Sequence, residues 1–503
     1  MRIEARLAGL ALAVILVGIS GCTGDVPPDR PTVGTLGAVD CPADVADAVV
    51  GAVDCAWLTV PESRARPDSP LIQVLVTTVR APSGAPDREP MLVTGSASRP
   101  NYAGIAPLAQ RVRRDVIIVD TRGTGHSTPS LSCPEVKATA PQIWVTPDSA
   151  DDRLRAAIAS CHARLTSEGI GVASYDLVEA AADLETLRVA LDVEMWNVTG
   201  YGAGTRLAFE LLRQAPDNIR TLTADSPDVP GTDPRLLAGT ASQEAVQAVL
   251  AACSRHPRCR ARYPEPEALL DKAMTSLRSE PLRLSVDLQG DRVPILLEPG
   301  LLARALRQML SDGGSSGPLF TAGSIPSVLA AVVTRRKGDL GSMFAQFLRY
   351  EDPLCLGYRT PCLPAMTVAL GAELSMLCRD IAPFSVEPRT RLGPGFDDAY
   401  EDSPWWWVCD SWPVGPADPT VAAPPVSNVP TLVALGRFPP YSPEPAIRRA
   451  LAGLTAASYV TDPERPHNVL PRPCAAGVRN RWVDMPMPFS DSPCPKETPI
   501  SWT

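Results

Sequence analysis

The residues Gly200-Tyr201-Gly202-Ala203-Gly204 stand where a buried strand gives way to a helix, and that spacing is the scaffold of a nucleophile elbow. In such a turn the central residue holds an attacking hydroxyl on a backbone with φ > 0, while small residues two places before and after let strand and helix approach. Gly200 and Gly204 meet the second requirement, but the centre is Gly202, which has no hydroxyl. Glycine carries no penalty for φ > 0, so the sequence keeps the turn and deletes the attacking group. Two other readings of the cluster stay open. A dinucleotide fingerprint would need a third glycine where Thr205 stands, with Asp225 near its acidic slot; a plain strand-to-helix turn would need nothing more.

Other groups suited to proton transfer or attack are few. The chain has four histidines, His126, His162, His256 and His467. Ser96 and Ser226 follow predicted strands, and Asp225 adjoins Ser226, so a relocated nucleophile has two candidates; both serines are read as caps of turns or helices. Asp462 and Glu464 lie close to His467 in the chain and could orient it, but are read as solvated loop carboxylates. No cysteine or histidine spacing is that of a zinc site, so neither metal nor cofactor is expected.

The elements that must position these groups follow from apolar patterning. Trp196 to Val198 supplies the elbow strand, and Leu207, Phe209, Leu211 and Leu212 give the following helix a buried face. Leu71 to Val79, Met91 to Val93, Asp115 to Asp120, Ile219 to Ala224, Pro430 to Leu435 and Ser458 to Val460 read as further strands, and Asp176 to Leu191 as an amphipathic helix. Strand, helix, strand in succession predicts right-handed crossovers and a mainly parallel sheet. Between 228 and 425 the pattern turns to helices and cysteine-bearing loops, which predicts an inserted, mostly helical cap. The expected organisation is a signal over 1–21, a tether over 22–40, a sheet-bearing part over 41–227 opening with a flap from Cys41 to Val60, the cap, and a second sheet-bearing part over 426–503.

Composition sets the compartment. A basic start, an apolar stretch from Leu7 to Ile19 and small residues ahead of Cys22 form a secretory signal. Ile19-Ser20-Gly21-Cys22 also resembles a bacterial lipobox, in which Cys22 is acylated, so the expected location is the extracytoplasmic face of the cell membrane, held through a lipid. Setting Cys22 aside, 12 of the 13 cysteines remain, an even number suited to an oxidising space. Their close pairs are Cys41 with Cys55, Cys133 with Cys161, Cys253 with Cys259, Cys355 with Cys362, Cys378 with Cys409 and Cys474 with Cys494, although spacing alone leaves the connectivity open. A net charge of −9 argues against a nucleic-acid partner.

Several stretches together resemble the exported tripeptidyl-aminopeptidase-like α/β-hydrolases of actinobacteria. They are the turn Asp120-x-Arg122-Gly123-x-Gly125-x-Ser127, the run from Asp183 through Gly204-Thr205-Arg206, the junction Cys409-Asp-Ser-Trp412-Pro413 and the Cys474 to Cys494 bracket. The resemblance implies an α/β-hydrolase fold with a cap, and a Ser, Asp and His triad in that chain order acting on the free amino end of peptides. Position by position the implied triad is incomplete. Gly202 fills the serine slot, Pro439 of Gly436-Arg-Phe-Pro439-Pro-Tyr441-Ser442-Pro the aspartate slot, and only His467 is kept. The implied oxyanion loop reads Thr94-Gly95-Ser96-Ala97-Ser98-Arg99-Pro100 rather than a glycine-rich run. Loss of such a nucleophile raises the barrier by about 8 to 9 kcal/mol. With the serine and aspartate slots changed, His467 is then read as a surface or loop residue rather than a base. The resulting expectation is a hydrolase-fold protein without hydrolase chemistry that binds a peptide, lipid or envelope protein in the cleft beneath the cap; the alternative is an active peptidase or esterase with a relocated serine.

Overall fold

The computed structural model describes residues 32–95, 102–136, 150–232, 234–288, 290–312, 321–350, 369–384, 396, 407–462, 466–495 and 500–502. The signal, Cys22, Ser96 to Pro100, Glu464, Cys355 and Cys362 lie outside the described residues.

Eleven strands are described: β1 Leu36–Val39, β2 Val53–Pro61, β3 Leu71–Val79, β4 Met91–Thr94, β5 Val116–Asp120, β6 Trp196–Tyr201, β7 Ile219–Asp225, β8 Leu282–Leu288, β9 Asp291–Leu297, β10 Thr431–Gly436 and β11 Ala457–Asp462. Nine form one sheet in the order β1-β2-β3-β5-β4-β6-β7-β10-β11. The pairings from β1 to β5 are antiparallel, and those joining β5, β4, β6, β7, β10 and β11 are parallel. Every residue of β4, β5 and β10 is buried, as expected of parallel strands covered on both faces.

The amino-terminal stretch departs from expectation. The segment read as a flap contains β2, hydrogen-bonded along its whole length to β3, and the end of the expected tether forms the edge strand β1. Cys55, Leu58 and Val60 face the interior, and this burial makes β2 part of the sheet.

One sheet face is covered by the helices Leu177–Ala190 and Gly204–Gln214, whose leucines pack with Trp196, Val198, Leu222 and Val433. Asp176 caps the first of these helices by accepting the Glu179 N–H at 2.8 Å. The inserted region is less uniform than its sequence predicts. Its helices Pro234–Arg255, Leu269–Ser279, Pro299–Asp312, Ile325–Val333 and Lys337–Tyr350 share one core with the antiparallel hairpin β8 and β9. The alternation of buried Leu282, Leu284 and Val286 explains why this stretch is extended. Leu374, Trp407 and Trp412 pack elsewhere, against Leu131 and against Ile158 and Leu165 of the helix Ala150–Ser167. Disulfides join Cys41–Cys55, Cys133–Cys161, Cys253–Cys259, Cys378–Cys409 and Cys474–Cys494, five of the pairs expected from proximity. Among the described residues no helix is long and apolar enough to cross a membrane.

Candidate functional site

The carboxyl ends of β4, β5, β6, β7 and β10 meet around the elbow. Gly202 adopts φ +51°, the left-handed conformation that the turn requires. Its N–H donates to the Asp225 carbonyl at 2.9 Å, and its carbonyl accepts the Thr205 N–H at 3.1 Å and the Thr205 hydroxyl at 2.6 Å. The flanking glycines are there for packing. A Cβ at Gly200 would stand 2.9 Å from the Thr205 Cα, and one at Gly204 only 2.2 Å from the Thr94 carbonyl oxygen. Helix and strand therefore approach at van der Waals limits on both sides of a turn whose centre is open.

That opening faces His467. A Cβ built on Gly202 would lie 3.9 Å from His467 Nε2 with nothing nearer. A hydroxyl one bond farther out would fall within reach of that nitrogen. His467 is a loop residue, but it is only 7 % exposed, so the expectation of a surface position is corrected. Burial follows from its setting: Tyr441 packs edge-on against the imidazole with centroids 4.9 Å apart.

The segment expected to hold the acid is taken up in packing. Phe438, just before Pro439, joins the core of the helical insert, and the Pro440 carbonyl accepts the Ser242 hydroxyl at 2.9 Å. Proline offers no ionisable atom there. Asp462, read as solvated, is 4 % exposed at the end of β11, where its backbone pairs with Gly436. Termination of a buried strand, rather than a loop, accounts for the difference.

Two groups near the site were not marked by sequence for what they do. Asp225, at the end of β7, is fully buried, and burial pushes its carboxyl up to about 6. Ser226 follows at φ +50°; its hydroxyl donates to Asp225 Oδ1 and accepts the Asn468 N–H, each at 3.0 Å. This agrees with its reading as a residue that satisfies backbone donors. Their contacts join positions more than 240 residues apart, so no local pattern announces them.

On the other flank, Asp120 at the end of β5 accepts the His126 N–H at 2.7 Å and the His126 ring Nδ1 at 2.9 Å, and it is also bonded to the Tyr102 hydroxyl. The His126 Nε2 meets Asp44 at 3.0 Å, and the Asp120 hydrogen bond raises the imidazole above its ordinary 6.5. His162 packs edge-on to Trp412, and His256 accepts the Cys259 N–H at 3.4 Å, so both have local structural partners. A hollow beside the elbow is lined by Gly95, Thr121, Ala203, Gly204 and Met376.

The strand order, the crossover helices and the elbow agree with a family comparison: residues 91–264 match the model of the alpha/beta hydrolase fold. The chain has the α/β-hydrolase fold, and part of it is similar to tripeptidyl aminopeptidases and a related serine protease. It is similar to the tripeptidyl aminopeptidase of Streptomyces lividans, 27 % identical over 197 residues, or 36 % of each chain. It is also similar to the serine protease Hip1 of Mycobacterium tuberculosis (strain ATCC 25618 / H37Rv), 26 % identical over 241 residues, covering 42 % of this chain and 43 % of that protein. The matched stretch thus spans about two fifths of these curated relatives. Among solved structures, the proline iminopeptidase of Mycobacterium smegmatis aligns over 85 % of this chain and 97 % of its own, with 16 % identity and a TM-score of 0.36. Within this α/β-hydrolase fold, β6 and the helix Gly204–Gln214 are the elements that carry the elbow.

Proposed function

We propose that this chain is a binding protein built on a peptidase scaffold: lipid-anchored through Cys22 at the extracytoplasmic face of the cell membrane, without serine-hydrolase turnover, and taking a peptide or envelope protein in the old cleft. The observation that carries this reading is Gly202, at φ +51° in an intact elbow, with His467 Nε2 facing an empty side-chain position. A fold that keeps the turn and the imidazole while losing hydroxyl and acid retains a shaped cleft without the attacking atom. The names of the relatives, an aminopeptidase and a serine protease, support peptides as the ligand class.

A second reading is favoured by one observation, the non-glycine residue Ser226 at φ +50° directly after β7. In that reading Ser226 is a relocated nucleophile and the chain remains a serine hydrolase. Its hydroxyl is engaged by Asp225 and by the Asn468 N–H, which favours the binding reading.

The test is fluorophosphonate labelling of the purified protein beside an active peptidase, with any adduct mapped by mass spectrometry. No adduct is expected. An adduct on Ser226, or on any other serine, would establish an enzyme and overturn the binding reading.

A further inference from the structure

The contacts that fix the backbone after His467 do not involve its ring. The next three N–H groups all point to the end of β7: Asn468 donates to Ser226 Oγ, Val469 to Asp225 Oδ1 and Leu470 to Asp225 Oδ2, each at 3.0 Å. On the other side, the Asp225 carbonyl accepts the Gly202 N–H at 2.9 Å. One residue therefore grips the elbow with its main chain and the histidine loop with its side chain. Ser226 is itself held, since its N–H donates to the Ala434 carbonyl of β10 at 2.8 Å.

Two further observations show that this post is under constraint. Ser226 and Asn468 both sit in the left-handed region, at φ +50° and +53°, where non-glycine residues persist only when their surroundings dictate it. Asp225 is fully buried, and its desolvation is offset by two N–H donors, the Ser226 hydroxyl and the charge of Arg479.

We propose that Asp225, seconded by Ser226, is the positioning residue of this site: it sets where the His467 imidazole stands over position 202, acting through the backbone rather than through the ring as a carboxylate at position 439 would. The proposal rests on the reading of the elbow as a peptidase site without its serine. Its consequence is that the imidazole stays aimed at whatever ligand group enters the vacant slot, although the acid loop is gone.

The test uses Asp225→Asn and Ser226→Ala, each in the natural chain and together with Gly202→Ser. With only four histidines in the chain, ring-labelled histidine resolves the His467 signal by NMR, assigned by His467→Gln. Asp225→Asn is expected to shift or broaden the His467 ring signal while leaving those of His162 and His256 in place. It should also slow fluorophosphonate labelling of the Gly202→Ser protein at least tenfold. Ser226→Ala removes one hydroxyl, with its bonds to Asp225 Oδ1 and from the Asn468 N–H, but leaves the Asp225 carboxylate in place, and should act in the same direction by about threefold, which provides the measurement if Asp225→Asn does not melt cooperatively. An unmoved His467 signal with labelling within twofold would overturn the proposal and leave the elbow reading standing. A shifted His467 signal, together with a Gly202→Ser protein that never labels, would sink the elbow reading while supporting the positioning role.

Discussion

A methyl group added at Gly204 would stand 2.2 Å from the Thr94 carbonyl oxygen, whereas one added at Gly202 meets nothing nearer than His467 Nε2 at 3.9 Å. The first clash is with backbone and cannot be relieved by a rotamer change. Gly204→Ala is therefore expected to cost about 2 to 3 kcal/mol, and Gly202→Ala only the left-handed penalty of about 1 kcal/mol; urea midpoints of the two variants give the comparison. Gly202→Ser should restore reactivity toward fluorophosphonate without peptide turnover, because Pro439 has no carboxylate to fix the imidazole tautomer, a loss on the order of 10⁴-fold. Measurable cleavage of a tripeptide substrate by that variant would overturn this account of the acid loop. Titration gives a second check. The folded-state pKa of Asp225 is about 6 against an ordinary 3.8, so the folded chain holds a proton there that the unfolded chain has released. Stability from this group therefore rises as pH falls from 7 through 6 toward 4, by an amount on the order of 3 kcal/mol. Burial raises Asp380 in the same sense. His126, raised by its bond to Asp120, likewise stabilises fully below 6.5 and loses that contribution as pH rises through its folded pKa. Calorimetric midpoints should thus be higher at pH 5 than at pH 7.5, with a smaller difference in Asp225→Asn.

Elements around the site are joined by buried ions whose placement sets their worth. Arg122, 3 % exposed, pairs with both oxygens of Asp183 at 2.8 and 2.7 Å and donates to the Glu62 and Ser174 carbonyls at 2.6 and 2.7 Å. It ties the turn after β5 to the end of β2 and to the helix Leu177–Ala190. Arg122→Ala would remove the bidentate partner of buried Asp183, which keeps Arg64 at 2.8 Å, and should cost about 2 to 3 kcal/mol. Arg80, 49 % exposed between Asp54 and Asp115, should cost under about 1 kcal/mol when replaced by alanine, and chemical denaturation separates the two. Much of this architecture was legible in the sequence. Leu71 to Val79 is a strand with the bounds its composition predicts, the Asp176 cap begins its helix, and the elbow glycines announce their turn. What stayed hidden depends on distant partners. Nothing near Val53 signals that β2 hydrogen-bonds to β3 throughout, and nothing near His467 signals that Asp225 holds its loop. The phenylalanine before Pro439 reads as an ordinary loop residue until the insert closes over it.

At the scale of the molecule, the sheet core and the helical insert are separate apolar clusters, and Phe438 of the acid loop belongs to the second. Pro439→Asp would place a carboxylate next to that core. It is expected to destabilise the protein without creating turnover, even alongside Gly202→Ser, and thermal melting with a peptide assay checks both halves. The described disulfides carry a further consequence. Their partners lie 14, 28, 6, 31 and 20 residues apart, and no described bridge encloses or crosses another. A chain threaded amino-terminus first into an oxidising space would present each of these thiols to its own partner before the next described pair emerged. Such a chain needs an oxidant to mature but little reshuffling, so its covalent skeleton can be laid down in the order in which it is delivered.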